Sequence, residues 1–334
     1  MENIPPCYSS GQLLTLQVGA DHEPFSVLIV SAHGKWTNSV NLLVKVLPND
    51  SNIEFNAQLV FLKLYDRRFA PAFRERWDVE PWTPTLEEHL FEFSHTGEAR
   101  DVLDAWRDNP YTEYDFSAPD YHKEAVISEI MTEEFEKESE AYSVLEDHQG
   151  EYIPRIMASV FMQIGPAGII GERPIPLLDD PLILGKSCEM FEVQGLLMEY
   201  YPGFPATKID CQTDPGDWQH LKNRCINLVG HVMKSDQILH EDIRPKNVVI
   251  TRDENYLRSY RVIMTDFRST MMRGTENDEE WADMKKRYDE KGMMQAKLEN
   301  PPRRRGNGNP PQGSGSSTAS AWWNFDGYDV MTQE

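Results

Sequence analysis

The feature that most constrains this chain lies between residues 240 and 250. There an imidazole (His240), a carboxylate (Asp242) and a carboxamide (Asn247) lead directly into the apolar run Val248, Val249 and Ile250. A second short apolar run, Val262, Ile263 and Met264, ends in Thr265, Asp266 and Phe267. Two β-type segments joined by a hairpin-like linker place Asp242, Asn247 and Asp266 at one end of the pair. One carboxylate there can take a proton from an attacking hydroxyl, while the amide oxygen and the second carboxylate suit hard cations. Phosphoryl transfer asks for this combination of positioning and charge neutralisation. Arg244, two residues after Asp242, adds a cation able to steady a transferring phosphoryl group. A lone His-x-Asp is common and ordinarily structural; the whole pattern, in this order, carries the reading.

A chain of 334 residues is long enough for one large core or two lobes of ordinary domain size. Its 40% hydrophobic and 10% aromatic content suits a globular protein. With 33 basic against 55 acidic residues, the formal charge of −22 repels phosphate backbones and argues against nucleic acid as a partner. Cys7, Cys188, Cys211 and Cys225 show no metal-ligand spacing, so reduced thiols in an intracellular, most simply cytoplasmic, protein are expected. The N-terminal residues lack the basic and apolar regions of a signal peptide, and no apolar run reaches membrane-spanning length.

Taken in order, residues 13–18, 25–30, 40–47 and 59–65 read as strands, rich in β-branched residues and separated by Asp, Asn, Gly and Pro. A meander of antiparallel strands follows. Residues 67 to about 122 carry Trp77, Trp82, Phe91, Phe93 and Trp106, with helical spacing at Leu86, Leu90 and Phe93 and at Val102, Leu103 and Trp106, and read as a helical insertion packed on the lobe that holds those strands. Between 121 and 146 a long acidic helix is expected, with Val126, Ile127, Ile130, Met131, Phe135, Tyr142 and Leu145 on its apolar side. Apolar segments at 156–164 and 195–198 follow, then an amphipathic helix over 217–233 that buries Leu221, Cys225, Leu228, Val229 and Val232. One further helix is expected over 281–298. Residues 301–334, rich in Gly, Pro, Ser and Asn, read as a disordered tail.

The pattern from His240 to Asp266 resembles the catalytic loop and metal-binding aspartate of the protein-kinase-like superfamily, including its Asp-to-Asn spacing. Residues 62–71 resemble a group of fungal kinase-like proteins. The resemblance spans roughly residues 25–295 and implies a bilobal α+β fold with ATP between the lobes. The expected kinase-like domain covers 1–300. It has an antiparallel-sheet N-lobe over about 11–198, a helical insertion at 67–122, and a shortened helical C-lobe over about 203–300. Only 66 residues follow Arg268, and no Ala-Pro-Glu motif is present. That economy is similar to fungal-type and aminoglycoside-phosphotransferase-like proteins.

The resemblance also assigns roles. Lys63, with Lys45 as its rival, would pair the nucleotide phosphates with a helix glutamate. Glu138, three residues before Ala141 and seven before Leu145, matches the position of that glutamate. Glu140 is the alternative, about 200° away around the helix, so the two cannot face one cleft. Gly34, in the loop 31–36, would cover the phosphates, although the family has three glycines where this loop has one. Met198 would lie behind the adenine, with Glu199 and Tyr201 supplying backbone contacts. Asp242, Arg244 and His240 would form the catalytic group, and Asn247 and Asp266 would hold Mg²⁺. Arg268 stands where the family has glycine. Two functions follow: an ATP-dependent phosphotransferase acting on a hydroxyl of a protein or small molecule, or a pseudokinase that binds partners without turnover.

Overall fold

Along Leu13–Leu16 and the first part of Phe25–Ala32, buried residues alternate with more open ones, so that one face of the sheet turns to a shared core. The computed structural model describes residues 8–18, 24–32, 36, 38–48, 58–108, 117–164, 190–252 and 260–300. The expectations for Gly34, Cys7, Cys188 and the tail 301–334 fall outside these residues. Six strands, Leu13–Leu16 (β1), Phe25–Ala32 (β2), Val40–Val46 (β3), Leu59–Leu64 (β4), Ile156–Gln163 (β5) and Glu192–Glu199 (β6), pair antiparallel in the order β1-β2-β3-β4-β6-β5. In β1, Leu14 and Leu16 are buried while Leu13 is exposed. Gln17 and Phe161 exchange two backbone hydrogen bonds of 2.9 Å, bringing the ends of the ladder together so that the sheet curls closed. Its interior holds Phe25, Val27, Ile29, Leu42, Leu62, Leu64, Val160 and Leu197. Gly195 is needed where β6 crosses β4, because a Cβ there would lie 2.6 Å from the Lys63 carbonyl oxygen.

After β4 the chain forms three short helices, Pro71–Arg76 (α1), Pro84–Ser94 (α2) and Gly97–Asp108 (α3), and then the 25-residue helix Asp120–Val144 (α4). Thr83 caps α2, accepting from the Leu86 N–H at 3.1 Å, and Pro84 occupies the first helical turn. The aromatics of this stretch are core: Trp77 and Trp106 meet edge to face at 5.1 Å and pack with Ile127, Ile130 and Met131 of α4. Leu90, Phe93 and Leu103 close over Ala125 and Phe191. The insertion therefore makes its apolar contacts largely with the long helix.

The second half contains Gly203–Pro205 (β7), Ile209–Gln212 (α5), Trp218–Val232 (α6), Ile238–His240 (β8), Val248–Arg252 (β9), Tyr260–Met264 (β10), Thr270–Met272 (β11), Asp278–Tyr288 (α7) and Glu290–Glu299 (α8). β9 pairs with β10 on one side and β7 on the other, while β11 pairs with β8. The single helix expected over 281–298 is two helices. Asp289 adopts a left-handed conformation (φ 39°), and its carboxylate accepts from the Gly292 N–H at 3.1 Å to start α8. Asn277 and Glu280 form a capping box at the head of α7. One core joins the halves, running from Tyr142 of α4 and Met198 of β6 through Leu221, Cys225 and Val229 of α6 to Met264 and Phe267. The architecture is α+β with two lobes, a curled antiparallel sheet and a helical half.

Candidate functional site

Alternation along β4 sends Leu62 and Leu64 into the sheet core and turns Lys63 to the opposite face, toward α4. Lys63 is buried there, and a buried ammonium needs partners. Its Nζ lies 2.5 Å from Glu138 Oε2 and 2.8 Å from Asp266 Oδ1. Burial works to lower the Lys63 amine, but Asp266 and Glu138 outweigh it and hold the amine above its ordinary value. Lys45 is exposed on β3, and Glu140 is exposed on α4. The structure thus brings Lys63 and Glu138 together and leaves their rivals outside.

Glu138 is fully buried and satisfied by three residues at once. Besides Lys63, its Oε2 accepts from the Tyr65 hydroxyl, and its Oε1 accepts from the Phe267 N–H at 3.3 Å. The sequence reading missed Tyr65, although the strand period places it on the same face as Lys63, two residues on. It also left Tyr142 as core alone. Phe267, with no exposed surface, packs its ring at 5.1 Å from Tyr142 and 5.7 Å from His240. Tyr142 in turn donates its hydroxyl to the Met198 sulfur at 3.8 Å. These contacts fix the segment after β10 against α4, with Asp266 in a left-handed conformation (φ 67°).

His240 is 1% exposed, and both ring nitrogens are engaged. The Asp242 N–H donates to Nδ1 at 3.1 Å, so Nε2 carries the proton and donates to the Asp266 carbonyl at 3.0 Å. Burial pushes its pKa down, keeping the ring neutral. The His240 N–H donates to Glu290 Oε1 at 2.7 Å, tying the loop to α8. The imidazole thereby braces the loop against the Asp266 backbone. Asp242 is nearly buried and accepts from Arg244 Nε. Lys246 joins the same group: burial lowers its amine, with Arg244 adding to the effect.

The end of β10 is sewn to the loop, since the Asn247 carbonyl accepts from the Thr265 N–H at 2.8 Å and its hydroxyl at 3.1 Å. Asp266 follows directly. Burial works to raise its carboxyl, but Arg268 and Lys63 outweigh this and hold it far below the usual carboxylate range. Arg268 Nε lies 3.4 Å from Asp266 Oδ1, the oxygen that also takes Lys63. Among the described residues, neither Asp266 Oδ2 nor the Asn247 carboxamide has a hydrogen-bond partner. Nor do those residues contain a group of three or more His, Cys, Asp or Glu suited to a metal ion. A carboxylate oxygen and a carboxamide oxygen are donor types that would suit a hard divalent cation such as Mg²⁺.

Met198 is buried at the end of β6, next to Glu199. The Glu199 N–H donates to the Arg155 carbonyl at 2.9 Å. Tyr201 is half-buried, donating its hydroxyl to the Gly150 carbonyl at 3.3 Å beneath the Arg261 guanidinium. These three residues line the chain as it passes from the sheet to β7.

No protein-family model and no curated protein matches this chain. Among solved structures it is similar to one described as "ROP18 kinase domain in complex with AMP-PNP and sucrose", with 12% identity and a TM-score of 0.40. That alignment covers 81% of this chain and 59% of the other, so the chain spans less than two thirds of that protein's length. The architecture described above has Lys63 on a curled sheet, Glu138 on a long helix and the segment from His240 to Asp266 in a helical lobe. It is consistent with the bilobal kinase-like fold that the sequence resemblance implies.

Proposed function

We propose that this chain is an ATP-dependent phosphotransferase of the protein-kinase-like superfamily, moving the γ-phosphate to a hydroxyl acceptor. The observation that carries the reading is the joint engagement of Lys63 Nζ by Glu138 at 2.5 Å and Asp266 at 2.8 Å. Three segments distant in sequence spend three buried or half-buried charges on one point, an arrangement that a fold has little reason to keep for stability alone. In this reading Lys63 aligns the phosphates, and the backbone beside Met198, Glu199 and Tyr201 meets the adenine edge. Gly34 belongs to the loop over the phosphates. Asn247 and Asp266 are the two oxygen donors toward Mg²⁺, which would supply charge neutralisation at the phosphates.

The acceptor oxygen attacks the γ-phosphorus as the bond to the β–γ bridging oxygen breaks. The acceptor proton passes to Asp242, and ADP carries away the bridging oxygen. Arg244, bonded to Asp242 Oδ1, orients that carboxylate and adds positive charge beside it. The acceptor is a protein hydroxyl or a small-molecule alcohol, and the acidic chain favours a cationic one. An intracellular setting accords with its cysteine usage, and no described helix is long and apolar enough to cross a membrane. A second reading, a pseudokinase that binds nucleotide without turnover, draws on the Arg268–Asp266 pair.

Asp242→Ala tests the choice. A positioned base contributes about 10²–10⁴ in rate and little to ground-state binding. ATP affinity by calorimetry should therefore stay within about threefold, while transfer to an acceptor falls by roughly two orders of magnitude or more. Unchanged transfer would remove Asp242 as the base. Binding without turnover in the parent protein, across alcohol and protein acceptors, would leave the pseudokinase reading.

A further inference from the structure

Arg268 puts a guanidinium at the position after Phe267, and its surroundings give that charge a specific place. Its side chain retains 12% of its exposure, and its Nε stands 3.4 Å from the Asp266 oxygen that also binds Lys63. Glu134 and Glu138 act on the same guanidinium, while Arg268 and Arg244 act together on Lys246. The group thus contains four cations, Lys63, Arg244, Lys246 and Arg268. Against them stand four carboxylates, Glu134, Glu138, Asp242 and Asp266. With glycine at 268 the group would be net acidic, inside a chain that already carries −22. A nucleotide triphosphate, with its several negative charges, would then meet a repulsion that a divalent cation relieves.

We infer that Arg268 is a resident counter-cation for the triphosphate, so that ATP binds here without a divalent metal and the metal is required only for transfer. The inference rests on the nucleotide site proposed above. A guanidinium on a three-carbon stem can turn from Asp266 to a phosphate oxygen, where its planar fork makes charge-assisted bonds. Its departure leaves Asp266 Oδ1 with Lys63 as its partner. The same guanidinium lowers the attraction of Asp266 for a metal when no nucleotide is present.

The experiment is calorimetric titration of ATP into the full chain, in EDTA and in Mg²⁺, for the parent protein, Arg268→Gln and Arg268→Lys. The parent dissociation constants should agree within about threefold between the two buffers. Loss of a charge-assisted phosphate contact should weaken Arg268→Gln by about tenfold in EDTA, with Mg²⁺ recovering most of the loss. Arg268→Lys should stay close to the parent. Parent binding that appears only with Mg²⁺ overturns the inference and leaves the nucleotide site standing; this arm needs no variant to fold. Equal or tighter binding of Arg268→Gln in EDTA also overturns it, since the arginine would then be idle or in the way. Absence of ATP binding in both buffers overturns the nucleotide site and this inference together.

Discussion

Lys63 and Lys45 lie on adjacent strands, and burial separates their roles. Lys63→Met should weaken ATP binding by about tenfold or more, because a charged contact to phosphate is lost, whereas Lys45→Met on the exposed face should stay within about twofold. Titration calorimetry decides between them, and the reverse order would shift the strand alignment by one. The buried carboxylates set the acid stability. Burial works to raise Asp66, but Arg68 outweighs it; Asp266 is lowered likewise by Arg268 and Lys63. Their unfolded forms take up protons near pH 4 and their folded forms only lower. Their stabilisation is therefore complete at neutral pH and is lost as acid carries the pH down through the folded values. Asp66→Asn should flatten the acid limb of melting temperature against pH, whatever its effect at pH 7; an unchanged slope would contradict the pairing. Asp242, Asn247 and Asp266 were legible as residues because their offsets are local. Tyr65 gained its significance only from what it touches, whereas Arg268 stood out in the sequence and the structure supplied its partner.

At the scale of elements, α4 is held by more than Lys63. Arg67, just beyond β4, reaches Glu87 of α2 at 2.5 Å and Glu124 of α4 at 2.9 Å, and Arg74 of α1 also pairs with Glu124. Trp82 donates its indole N–H to Glu87 at 2.7 Å. All of these ions are buried, so removing one partner strands the others in a place that water does not reach. Glu124→Gln should cost about 3–5 kcal/mol in urea denaturation; a loss under about 1 kcal/mol would put the pair in the class of exposed ion pairs. The apolar spacing of these helices was readable, since period 3.6 is a property of neighbouring residues. Their buried charges were not, because Arg67, Glu87 and Glu124 look like ordinary surface residues in sequence. The break at Asp289 was missed for a related reason: the apolar pattern continues through it, and a left-handed residue marks the division.

For the whole molecule, the closure of β1 on β5 decides whether the sheet has an open edge. Leu14 and Leu16 fill the closed end without exposed surface. Leu14→Ala should cost about 2–5 kcal/mol by denaturant unfolding, and a neutral result would mean that β1 is an ornament on an open sheet. The sequence by itself determined the four strands of the first half and the longer helices, and that Asn247 and Asp266 stand at one end of two paired strands with Asp242 in the loop before them. Those properties follow from side-chain period, turn residues and short offsets, all carried by neighbours in the chain. Only the tertiary structure decided which lysine meets which glutamate, for Lys63 lies 75 residues from Glu138 and 203 from Asp266. The same holds for the place of Arg268 and for the joining of the first strand to the fifth. A buried ion pair depends on where water is excluded, and that is a property of the packed whole which no local spacing records.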